Sequence, residues 1–139
     1  FKLLIIGDGS EYKKIKFYIK TCNLEERVLL LGFQSNPYKY LKNSLGLILF
    51  SKYEGFPNVL LESMYCKTPV ITSDFEGAEE IVNHNETGYI VERNDINSLA
   101  IHMNQISDKS KYTELINNAY KFVLMLNNHS ESKYKGLIN

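Results

Sequence analysis

Five short apolar runs recur along the chain: KLLII at 2–6, VLLL at 28–31, LGLILF at 45–50, PVIT at 69–72 and YIV at 89–91. None alternates with polar residues, which is the pattern of strands covered on both faces. The stretches between them, 10–22, 36–43, 58–66, 77–83 and 95–107, have helical length and spacing, and 110–127 reads as a final helix. Strands alternating with helices predict an α/β fold around a doubly wound parallel sheet. The closing stretch NNHSESKYKGLIN is polar and is expected to be loose.

Composition narrows the function classes. The 139 residues suffice for one compact domain with a real core. Sixteen basic and sixteen acidic residues cancel, so no net charge draws the chain to nucleic acid or anionic lipid. Cys22 and Cys66 stand far apart and fit no metal or redox spacing. His84, His102 and His129 have no ligand-type neighbour at metal-binding spacing, and no metal is expected. The ten tyrosines are scattered as amphipathic packing residues. No apolar run approaches a membrane span and no signal peptide is seen, which points to the cytosol. The chain opens on FKLLIIGDG, without methionine and already in a strand, and is expected to be part of a longer polypeptide.

In such folds ligands collect beyond the carboxyl ends of the strands, so the segments after the strands carry the candidate chemistry. GDGSEY at 7–12 follows a strand and opens a helix, but Tyr12 stands where a dinucleotide fingerprint needs its third glycine. No acid closes the next strand to hold a ribose, so NAD binding is not expected. Gly7 and Gly9 fit either a ligand-facing loop or a plain tight turn.

SKYEGFPNVLLESMYCKTPVI at 51–71 is the most informative stretch. Pro57 suits a first helical turn, having no amide hydrogen to lose. The amides of Asn58, Val59 and Leu60 are then expected to point out of the helix start, a ready phosphate site. Gly55 removes a side chain where a pyrophosphate would come close. On a helical wheel Leu60, Leu61 and Met64 form one arc, and Asn58, Glu62 and Cys66 a more polar one. A carboxylate at Glu62 can accept hydrogen bonds from a vicinal diol such as a ribose. Glu54, before the turn, could do the same for a second sugar. By spacing alone, solvated surface acids fit equally well.

The residues EGFPNVLLESMYCKTPVI resemble the signature of the retaining glycosyltransferases of family 4, the glycosyl transferases group 1. Glu54 and Glu62 match its E-x7-E motif. IIGDG, RVLLLGF, PVITSDFEGAEEIV and NETGYIVERND resemble further segments in family order, covering about residues 2 to 107. The resemblance implies a GT-B enzyme of two Rossmann-like domains, of which this chain is the C-terminal one without its first strand and helix. Residues 1–108 would form the nucleotide-sugar-binding domain and 109–139 a terminal helix and tail.

The resemblance also implies roles. Glu62 would bind the ribose, and Glu54, the catalytic-site acid, would face the donor sugar. Gly55 and the amides around Phe56, Asn58 and Val59 would cradle the diphosphate. Leu29 would border the base through its backbone, and Gly7 and Gly9 would line the same cleft. The substrate would be a UDP- or GDP-sugar with no obligatory metal, and the product a surface polysaccharide or glycolipid. The sugar or lipid-linked acceptor would sit mainly on the missing N-terminal domain, which would also supply any peripheral contact with the inner membrane face. Two departures stand out. Glu76 and Glu79 occupy the first glycine and the proline of the usual loop after the fifth strand. An Arg and a Lys that the family directs to the diphosphate precede the residues present, so the isolated chain is expected to be inactive.

In the family's strand order a strand sits between those at 2–6 and 45–50, so a gap is expected there. Two other classes compete. A GT-B epimerase or phosphorylase-like enzyme would need acid–base groups or a pyridoxal-bearing lysine, and a response-regulator-like binding module would need clustered acids where the chain offers Asp8 alone.

Overall fold

The structure, a computed structural model, describes residues 1–127, so most of the predicted tail and His129 lie outside the described residues. The elements alternate as the pattern predicts. The first compact unit, residues 1–37, holds β1 (Leu3–Ile6), α1 (Tyr12–Thr21) and β2 (Val28–Gly32). The second, from Tyr38, holds α2 (Tyr38–Lys42), β3 (Leu47–Leu49), α3 (Asn58–Tyr65), β4 (Val70–Ser73), β5 (Tyr89–Val91), α4 (Ile96–Gln105) and α5 (Lys109–Asn127). The division between these units falls after Pro37. Tyr112, Leu115, Ala119 and Val123 of α5 are buried with the rest of the second unit, so α5 is part of its core.

Among the described residues the strands form two parallel sheets, β1-β2 and β3-β4-β5, so β1 and β3 do not pair, as the expected gap requires. In the second unit Leu49 pairs with Thr72, and Ser73 with Val91. β4 is buried throughout, as a central strand should be. Alternate residues of β4 face opposite ways. Val70 packs with Leu60, Leu61 and Met64 of α3 and Val123 of α5. Ile71 packs instead with Tyr89, Val91, Ile106 and Leu115. The strands of the first unit are only partly covered, with Leu3 and Leu4 among the exposed apolar residues.

Two helix ends are closed by residues in the left-handed region. α1 ends at Asn23 (φ 54°), with the Leu24 amide donating to Ile19 O at 2.9 Å. α3 ends at Lys67 (φ 57°), with Thr68 N–H donating to Ser63 O at 2.9 Å. That turn feeds straight into β4.

The predicted helix at 77–83 is a correction: this stretch is a single 3-10 turn, Ala78–Glu80. Gly77 precedes it at φ +86°, a conformation no helix continues. On the other side the Asn83 amide donates to Thr87 Oγ1 at 2.9 Å instead of to a helical carbonyl. Too few residues remain between these two stops for a helix to propagate.

Candidate functional site

The β3–β4 ladder stops at Leu49, and the backbone that leaves it carries Glu54. Pro57, at φ −79° and ψ 73°, forms the centre of an inverse γ-turn closed by Asn58 N–H donating to Phe56 O at 2.9 Å. α3 begins at Asn58, which makes Pro57 the cap and not the first helical residue. The outward-facing amides need the same correction. Besides the Asn58 amide, that of Leu60 is engaged, donating to Pro57 O at 3.0 Å. Of the three, Val59 alone has no backbone acceptor among the described residues. The helix start keeps its partial positive charge, and its first turn carries no acid.

Glu54 and Glu62 are both half-buried, one before the γ-turn and one in the second turn of α3. Among the described residues neither carboxylate has a hydrogen-bond or ion-pair partner. Phe56 projects into solvent at 61 % exposure. A Cβ built on Gly55 meets nothing within 4 Å, so no protein atom requires glycine there. Gly88 differs: its added Cβ would lie 2.5 Å from Val70 Cγ2 and 2.8 Å from Val82 Cγ1, so packing alone demands it.

At the carboxyl end of α3, burial pushes the Cys66 thiol up, Lys42 pulls against that rise, and Glu62 adds to it. Lys52 directs its ammonium over the Tyr53 ring at 5.3 Å. A cavity of about 340 Å³ lies beyond β4, lined by Asp74, Glu76, Gly77, Glu79 and Ile90 among others. Both acids that depart from the resembled loop, Glu76 and Glu79, therefore face this cavity. Among the described residues no three of His, Cys, Asp and Glu come together as ligands for a metal.

Glu54, Gly55, Phe56, Asn58, Val59 and Glu62 thus fall on one continuous loop and helix start of the second unit. Gly7, Gly9 and Leu29 belong to the first. There the Gly7 amide donates to Gly32 O at 2.8 Å and the Gly9 amide to Asp8 Oδ1 at 2.8 Å, which shapes the turn into α1. Leu29 is the second residue of β2, opposite Leu4, and lines a groove of about 620 Å³ against Tyr12, Lys16 and Phe17 of α1.

Sequence reasoning missed one group. Asp74 Oδ1 accepts from the Arg93 amide at 3.1 Å and lies 3.3 Å from Arg93 Nε. Arg93 Nη1 reaches the Lys52 carbonyl at 3.5 Å. An arginine and an aspartate in separate loops form no sequence pattern, and only the parallel order of β3, β4 and β5 joins them.

Residues 1–122 match the family described as glycosyl transferases group 1. The chain belongs to that family. Among its relatives is a Campylobacter jejuni enzyme named N-acetylgalactosamine-N,N'-diacetylbacillosaminyl-diphospho-undecaprenol 4-alpha-N-acetylgalactosaminyltransferase, 43% identical over 99 residues, 70% of this chain and 27% of the relative. Another is the poly(ribitol-phosphate) alpha-N-acetylglucosaminyltransferase of Staphylococcus aureus, 33% identical over 118 residues, 84% of this chain and 22% of the relative.

The solved structure of S. aureus TarM with UDP and other ligands matches at TM-score 0.86 and 29% identity, covering 99% of this chain and 29% of TarM. Anabaena HepE in complex with UDP-glucose matches at 0.80 and 26% identity, covering 98% of this chain and 41% of HepE. These neighbours are GT-B glycosyltransferases, and the α/β fold with parallel sheets is shared with them. The group 1 chain described here spans only 27% and 22% of those two curated relatives. No helix among the described residues is long and apolar enough to cross a membrane.

Proposed function

We propose that this chain is the donor-binding part of a retaining glycosyltransferase that takes a sugar from a nucleoside diphosphate, UDP or GDP, in polysaccharide or glycolipid synthesis. The observation that carries the reading is the Glu54–Glu62 segment: two half-buried carboxylates, without partners among the described residues, stand on either side of a helix start whose Val59 amide has no backbone acceptor among them. A diphosphate seated at that start leaves Glu62 for the ribose diol and Glu54 for the hydroxyls of the donor sugar. Departure of the diphosphate builds negative charge, which an oriented amide and the helix end stabilise without reorganising. Membership of the family and neighbours solved with UDP or UDP-glucose support this assignment. The acceptor is assigned to the part of the relatives that this chain does not span.

Calorimetric titration of UDP and GDP, beside a Glu62→Ala variant, tests the reading. Binding of one nucleotide in the micromolar range, with about 1–3 kcal/mol lost in the variant, is expected for a charged hydrogen-bond acceptor. Equal affinity in the variant, or no binding of either nucleotide, overturns it.

A further inference from the structure

We propose that Ser73 and Arg93 are positioning residues that fix the backbone carrying Glu54, and so aim its carboxylate. The inference rests on the donor-site reading for its purpose, and on hydrogen bonds within the second unit for its geometry. The β3–β4 ladder ends at the Leu49–Thr72 pair, yet the chain does not run free beyond it. Thr72 Oγ1 donates to Leu49 O at 3.2 Å, and Ser73 Oγ donates to Ser51 O at 2.6 Å. Arg93 then reaches Lys52 O from the loop after β5, at the outer limit of hydrogen-bonding distance. Side chains thus take over from the ladder residue by residue, holding the carbonyls of Leu49, Ser51 and Lys52 up to two residues before Glu54.

The chemistry of each tether fits that task. Thr72 and Ser73 are fully buried, and a buried hydroxyl must find an acceptor or carry a desolvation cost. Thr72 donates to the last residue of β3 and Ser73 to the segment just past it, so the loop's departure angle is set by groups inside the core. Arg93 is held from two sides by Asp74, through its amide and its Nε, which leaves Nη1 directed at the loop. With side chains 41% and 43% exposed, the Arg93–Asp74 pair contributes little to stability. Its geometric result is the link between the loops after β3, β4 and β5. Lysine could keep the charge beside Asp74, but a point ammonium cannot span Asp74 and the Lys52 carbonyl as the planar fork does.

Backbone order parameters from nitrogen-15 relaxation test this on the chain itself. In the unaltered protein the amides of Lys52, Tyr53 and Glu54 are expected near the rigid value of about 0.85. In Arg93→Met and in Ser73→Ala they are expected to fall toward about 0.6, with β4 and β5 unchanged. Arg93→Lys should behave as Arg93→Met at Lys52 and Tyr53; recovery of order by lysine would reduce Arg93 to an ion-pair partner and overturn its role as a tether. An unchanged loop in Arg93→Met, which cannot unfold a core it does not enter, overturns the Arg93 assignment even if Ser73→Ala fails to fold. A loop already mobile in the unaltered protein overturns both. Adding UDP to the same samples separates the two proposals. A loop that loosens as expected, in a protein that binds no nucleotide, keeps the tethers and removes the donor site.

Discussion

The two units begin from the same kind of sequence and reach different degrees of burial. LLII of β1 and VITS of β4 are both four-residue apolar-rich strands in parallel ladders. β4 lies between β3 and β5 with helices on its faces, and each of its residues is buried. β1 has the single neighbour β2, and Leu3 and Leu4 remain 43% and 38% exposed. Ile19 is the one buried apolar residue described in the first unit, whereas the second holds two apolar clusters. Burial of a strand is therefore a property of its neighbours. A two-stranded sheet with one helix cannot remove both faces from water.

The largest test of the contrast is truncation of one leucine in each unit. Leu60→Ala, at a fully buried position of α3, is expected to cost about 2–5 kcal/mol in urea unfolding. Leu4→Ala, 38% exposed, should cost less, about 1–2 kcal/mol, because over a third of its surface is already hydrated. Comparable losses at the two sites would mean that the first unit is better covered in solution than its geometry shows.

A smaller effect sets glycine against glycine. Gly88→Ala drives a Cβ into Val70 and Val82 and should cost about 1–3 kcal/mol by overpacking. Gly9→Ala in the first unit meets open space at an ordinary φ and is expected within about 0.5 kcal/mol on the same urea curve. A costly Gly9→Ala would overturn the contrast between the two glycines.

The mildest comparison is between the thiols. Cys22 is exposed, while burial raises the Cys66 thiol above its usual range. The thiolate is the reactive form, so iodoacetamide at neutral pH should label Cys22 several-fold faster, as followed by mass spectrometry. The sign for stability follows from the same shift. The folded state holds the Cys66 proton to higher pH than the unfolded chain does. Stability is therefore unaffected below the unfolded thiol's range and declines as pH rises through it. Equal labelling rates would show that Cys66 is as open as Cys22.

Much of the fold could be read from the chain alone. Ten of the eleven elements among the described residues fall within about two residues of the expected spans, because periodicity and length are local properties. The exception, 77–83, has helical composition, but its fate was settled by Gly77 on one side and by Thr87 capturing the Asn83 amide on the other. The Glu54–Glu62 segment was legible because its spacing and its resemblance both live in consecutive residues. Pro57's place in a γ-turn was not: a proline fixes φ, but the ψ of 73° that ties up the Asn58 amide depends on how the loop leaves β3.

By itself, then, the sequence determined the alternation of strands and helices, the parallel class of fold, and the segment on which the paired acids stand. Short-range periodicity and consecutive residues suffice for each. Tertiary structure alone decided that β4 is buried while β1 is half solvated, and that Arg93 meets Asp74 and Lys52 across 19 and 41 positions. Those outcomes depend on which groups become neighbours after the chain has folded. Hydrogen bonds and burial act over a few ångströms of space, whatever the distance along the sequence.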